Sequence, residues 1–136
     1  AQAPMVAAAS TYFSLMTGGA FTKLVTDDAG DKPVLRAERA GSAIIGVEAM
    51  SEGTRDQLYL ALRLAALALR RGSHPDMPLV LDDVLITSDD ARATHILQAL
   101  ERFAEGSQVV IFTHHRHLIE VAQQALPHNA CAIHML

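Results

Sequence analysis

An α/β fold with a parallel sheet is what this sequence predicts, and three observations predict it. The apolar run Leu79-Val80-Leu81 ends in two adjacent carboxylates, Asp82 and Asp83. A second apolar run, Gln108 to Phe112 (QVVIF), ends in Thr113 and His114. Helical patterns follow both runs, so strand and helix alternate as they do in sheets built with right-handed crossovers. Strands without polar alternation fit a parallel sheet covered on both faces. Two neighbouring carboxylates cannot be buried cheaply without a cation, so Asp82 and Asp83 are expected at the strand's exposed C-terminal tip. That tip is where open α/β sheets bind their ligands.

In chain order, Ala3 to Met16 is predicted as an Ala-rich helix stopped by Gly18-Gly19. Phe21 to Thr26 and Val34 to Glu38 flank an Asp- and Gly-rich turn, the pattern of a hairpin. Ala43 to Val47 adds a third β-like run, giving a small antiparallel sheet. Ser51 to Arg71 is the longest predicted helix. Leu58, Leu62, Ala65, Ala66 and Leu69 recur on one face, and Leu60, Leu64 and Leu67 fill much of the rest, so this helix is expected to be central. Arg70 and Arg71 at its end suit the helix dipole. After the acidic strand, a helix is expected from about Asp89 to Ala104, closed by Gly106. Arg116 to Ala125 forms another helix before Pro127, and Ala130 to Met135 is a candidate last strand. The expected layout is one globular domain: a helix over 1–17, a hairpin segment over 18–50, and an α/β lobe over 51–136.

Composition narrows the function classes. The 136 residues suffice for one domain with one core. A net charge of −4 provides no global basic field to recruit nucleic acid, so any such contact needs a local patch or another part of a larger protein. The single Cys131 excludes an internal disulfide and fits a reducing cytoplasm. No apolar run reaches the roughly 18 residues of a membrane span. The opening AQAPMVAAAS has no charged n-region, so no secretory signal is expected there.

Four segments carry chemistry. Ser51-Glu52-Gly53-Thr54 opens the long helix: Ser is a good N-cap, Gly lets a ligand approach the backbone, and free N–H groups favour phosphate. A plain helix cap explains the same residues. In a metal–nucleotide site Asp82 would hold Mg²⁺ through water and Asp83 would orient the attacking water. The simpler alternative is a solvated turn. Asp89 and Asp90 precede a helix, where the macrodipole alone accounts for them. Thr113 and His114 should emerge beside the acidic pair, where a neutral imidazole can hydrogen-bond a γ-phosphate. The cluster His114, His115 and His117 also raises a metal site, although no further Cys or acidic ligand is spaced to close one.

Taken together, the order of these segments resembles the nucleotide-binding heads of ABC-type ATPases of the SMC/SbcC/RecF-like group, and within it the YhaN-like bacterial coiled-coil ATPases. Met50-Ser51-Glu52-Gly53-Thr54 stands at the signature motif, and Val80-Leu81-Asp82-Asp83 at the Walker B strand. The resemblance covers roughly Phe13 to Leu118. It implies a P-loop NTPase fold of ABC type, with Asp83 the catalytic carboxylate, Asp82 the Mg²⁺ residue, Asp89 the D-loop aspartate and His114 the switch histidine. Ser51, Gly53 and Thr54 would touch ATP held by a second head. Arg55 and Arg63 fall where repair-type relatives carry basic residues that couple nucleotide to helix movement; for Arg63 a buried ion pair is an equal alternative. Three departures stand out. Glu52 replaces a signature glycine, Thr54 replaces a polar amide, and Asp83 is one methylene shorter than the usual glutamate.

No G-x-x-x-x-G-K-[ST] loop occurs, and the only lysines are Lys23 and Lys32. In the resembled family that Walker A loop lies in an N-terminal lobe beyond the coiled coil. The resemblance therefore implies the C-terminal lobe of a head, with the helix over 1–17 as the root of the returning coiled-coil arm, inactive alone, cytoplasmic, completed by a Walker A lobe and dimerising on ATP. DNA repair or chromosome maintenance would be its setting. Rival expectations are a non-enzymatic dimerisation or scaffold half-head, and a His-rich metal-binding α/β domain. A receiver-like phosphoacceptor domain is disfavoured, because no Lys follows a late strand.

Overall fold

The computed structural model describes residues 2–27, 30–71, 77–82, 89–127 and 129–135. Ten elements follow in order: α1 (Gln2–Met16), β1 (Phe21–Asp27), β2 (Val34–Arg39), β3 (Ile44–Gly46), a 3-10 turn (Val47–Ala49), α2 (Glu52–Leu69), β4 (Leu79–Asp82), α3 (Asp90–Ala104), β5 (Val109–Phe112) and α4 (Arg116–Ala125). The first three strands form an antiparallel sheet in the order β1-β2-β3, and β4 pairs with β5 in parallel. The α/β class and nearly every expected element boundary hold.

Helix α1 is the hub, packing on α2, α3 and β1. It buries Ala9, Tyr12, Phe13 and Met16 along one side. The Phe13 and Phe21 rings lie 5.1 Å apart, and Tyr12 meets Phe103 of α3 edge-on at 6.2 Å. Ser10 ties the helix to the sheet: its hydroxyl donates to Val6 O and accepts from Leu24 N, both at 2.8 Å. The helix ends as its two glycines require. Gly18 has φ +62°, Gly18 N donates to Leu15 O and Gly19 N to Ser14 O, closing the last turn. The His95 ring lies over Gly18, so a methyl there would be both strained and in contact with the imidazole.

Helix α2 packs mainly on α1. It buries Leu58, Leu60, Ala61, Leu64 and Ala65. It is less enclosed than its composition suggests, because Tyr59, Leu67 and Leu69 face outward and are 56, 36 and 49% exposed. Arg71 does not serve its own helix end. Its guanidinium donates to Phe103 O and lies 4.3 Å over the Phe103 ring, sealing the C-terminus of α3 instead.

Two expectations fail. The parallel strands alternate rather than being covered on both faces. Leu79 and Leu81 are buried, and Val109 and Ile111 pack on the core, whereas Val80 and Phe112 are each 49% exposed. The residues are apolar on both sides, but this chain supplies helices for only one. Ala130 to Met135 is not a strand: residues 130–135 carry no ladder, and Ile133 and Met135 are exposed. A lone extended segment with no strand edge beside it gains no backbone pairing.

Candidate functional site

The parallel register sets the geometry. Leu79 pairs with Val109 and Asp82 with Phe112, so both strands end at the same level. Asp82 stands exposed at the tip of β4. Thr113 and His114 leave the tip of β5 directly beside it. The Thr113 hydroxyl accepts from His115 N at 3.1 Å, turning the chain into α4. His114 is exposed and engaged within the chain. Asp83, expected to orient water, lies outside the described residues.

Three helices begin at this end. Ser51 caps α2: its Oγ accepts from Thr54 N at 3.2 Å and donates to Thr54 Oγ1 at 2.9 Å. The cap explains Ser51 locally, and it leaves the Thr54 hydroxyl proton for another acceptor. Asp89 caps α3 by accepting from Arg92 N at 2.7 Å, as the dipole argument anticipated. Gly53 is the contact between the two caps. A methyl at Gly53 would overlap Nη1 of Arg92 and stand 2.9 Å from its Cζ. On the other side, His117 of α4 bonds Asp90 of α3, Nε2 to Oδ1 at 2.8 Å, with Glu120 Oε2 3.4 Å from Nδ1. The N-termini of α3 and α4 thus meet through His117 and Asp90, and the first turn of α2 is joined to α3 by Arg92. Helix N-termini carry free N–H groups and a positive dipole end, which suits them to anions.

The remaining candidates separate. Arg55 is half-buried on the first turn of α2. Arg63 is exposed and makes no ion pair among the described residues, so the buried-pair alternative fails. Among the described residues no three His, Cys, Asp or Glu side chains group to hold a metal. His117 is committed to its carboxylates, and its pKa is raised first by the hydrogen bond it donates to Asp90, then by the charge of Asp90 and by Glu120.

Sequence reading overlooked Arg92 and Gln57, and for His117 it weighed a metal site rather than a tie to Asp90. Gln57 is 5% exposed, and its side-chain amide donates to Met16 O at 2.8 Å, linking α2 to the end of α1. A polar residue inside the apolar stripe of a helix is the signal that would have found it. Nothing local marks Arg92.

Known proteins share the fold that carries these residues. No protein-family model matches the chain. An SMC ATPase studied for ATP-driven dimerisation and DNA-stimulated activation superposes with a TM-score of 0.67 at 19% identity, covering 90% of this chain and 72% of that one. The SMC head domain from Thermotoga maritima gives 0.64 at 19% identity, over 90% of this chain and 40% of that one. An SMC head bound to the C-terminal winged-helix domain of ScpA gives 0.65 at 20% identity, over 88 and 36%. The chain thus has the fold of these SMC head domains over about nine tenths of its length. In sequence it is 30% identical over 129 residues to the uncharacterised protein YhaN of Bacillus subtilis strain 168, a match over 94% of this chain. The chain spans 13% of the length of that relative.

Proposed function

We propose that this chain is the C-terminal lobe of an ABC-type ATPase head that works when a Walker A lobe completes it. The observation that carries the reading is the joining of two capped helix starts, at Ser51 and Asp89, and the first turn of α4 beside the parallel strand ends that carry Asp82 and lead to His114. The open face of the β4–β5 pair supports it too. Val80 and Phe112 leave an apolar strip that a neighbouring lobe of the same sheet would cover.

In this reading, phosphate of ATP held by an opposing head meets Ser51, Gly53 and Thr54. Backbone N–H groups of the first α2 turn and the Thr54 hydroxyl donate to it. Asp82 suits Mg²⁺: it is an exposed hard oxygen donor at a strand tip with no ion pair among the described residues. When bound, Mg²⁺ neutralises charge on the phosphates. Asp83 accepts the proton side of the attacking water and fixes its direction, and His114 donates to the γ-phosphate. Asp89 lies at the D-loop, and Arg55 and Arg63 pass movement along α2. Two complete heads would dimerise on ATP in the cytoplasm, with DNA repair or chromosome maintenance as the setting.

The chain alone is expected to hydrolyse no ATP above background. Mixing it with a separately produced Walker A lobe should create hydrolysis, and D83N should remove it. Turnover by the isolated chain that D83N abolishes would contradict this reading. The open apolar face equally favours a non-enzymatic dimerisation or scaffold half-head. That reading predicts a stable complex on mixing with no nucleotide turnover.

A further inference from the structure

The bare Cα of Gly53 is occupied within the chain. Arg92, on the first turn of α3, lays its guanidinium against it. The backbone at Gly53 does not adopt a positive φ, so the torsion itself does not require glycine. What the missing side chain provides is space for the arginine.

Ion pairing among the described residues does not explain why Arg92 is there. Two helices start at this corner, and their dipoles disfavour a cation. Among the described residues Arg92 has no carboxylate within ion-pair distance, although Glu52, Asp89 and Asp90 are all nearby in sequence on the two helix starts. Its position is set by fit. Its own backbone N–H is fixed by the Asp89 cap, and its side-chain tip is fixed by Gly53. One residue therefore touches the cap of α3 and the first turn of α2.

From this geometry we infer that Arg92 is a positioning residue that locks the Ser51–Thr54 turn to the Asp89 cap, so that displacement of one start is felt at the other. The inference deepens the head reading, in which the first turn faces nucleotide across the dimer and Asp89 is the D-loop residue of the same head. Arg92 touches neither ATP nor the reacting water in this account. It makes the two segments respond together.

Amide hydrogen exchange on the isolated chain, without nucleotide, tests it. S51A removes the α2 cap, and exchange at the Thr54 amide should accelerate. In the native background, exchange at the Arg92 and Ala93 amides should accelerate with it, by about threefold or more as local opening spreads. In R92A the effect of S51A should stop at α2. G53A should behave the same way, because a methyl there displaces the flexible guanidinium tip. Its thermal midpoint should hold or rise, since Ala is the better helix former. That separates lost coupling from lost stability. An S51A effect confined to α2 in the native chain would overturn the inference. So would one that reaches α3 undiminished in R92A or G53A. Because no nucleotide is involved, failure here leaves the ATPase reading to the mixing experiment, and failure there leaves this result standing.

Discussion

The two halves of the molecule solve the same burial problem differently. Around α1 the chain closes on itself: Phe13, Met16, Leu58 and Leu64 have no measurable exposure, and even the carbonyl at the end of α1 has a buried partner in Gln57. Around the β4–β5 pair the chain closes one face and leaves the other to water, with Val80 and Phe112 half out. The difference is how many layers this chain supplies, which teaches that an apolar strand demands a cover without saying which part of a protein provides it.

Core truncation is the strongest way to test this contrast. Phe13→Ala should destabilise the isolated chain by about 3–5 kcal/mol, because a fully enclosed ring leaves a cavity. Phe112→Asp should cost about 1 kcal/mol or less, since that side chain already meets water. The ranking should invert in association with the Walker A lobe, where F112D abolishes complex formation. Denaturant unfolding and a pull-down measure the two. Equal destabilisation by both substitutions would mean that the open face is not open in solution.

Much of this contrast was legible in the letters. Helix periodicity, the paired glycines after Met16 and the Ser51 and Asp89 caps are local signals, and each forecast its element. The tips of β4 and β5 came together because parallel pairing forces equal registers. The faces of those strands were not legible, because Val80 and Leu81 are both apolar and only the packing tells them apart. Arg92 was hidden for a related reason. Its meaning depends on Gly53, 39 positions earlier in the chain, and no periodicity connects a helix start to a distant helix start.

Gln57 sharpens the closed half. Gln57→Leu keeps the volume but leaves Met16 O buried without its donor, and should cost about 1–3 kcal/mol. A neutral result in denaturant unfolding would mean that water or another donor replaces the amide. Smaller again is the cap at the boundary between the halves. Asp89→Ala removes the acceptor for Arg92 N and should cost about 1 kcal/mol, read in the same way.

The smallest effect concerns α4, which buries Val121 and Ala122 and reaches α3 with its first turn as well. His117 reaches across to Asp90, and that contact raises the imidazole pKa above its ordinary value of about 6.5. A group whose pKa is higher when folded binds its proton more tightly in the native state, so its stabilising contribution is fully present below the ordinary value. It fades as pH rises through the folded value, when the imidazole becomes neutral. The attachment of α4 should therefore loosen between mildly acidic and mildly alkaline pH, seen as faster exchange of the Leu118 amide, whose partner is His115 O. Both H117Q and D90N should flatten that dependence while leaving the α1 core unmoved. A pH response of equal size in H117Q would assign the titration to another group. A response spread through α1 would mean that the two halves do not loosen separately.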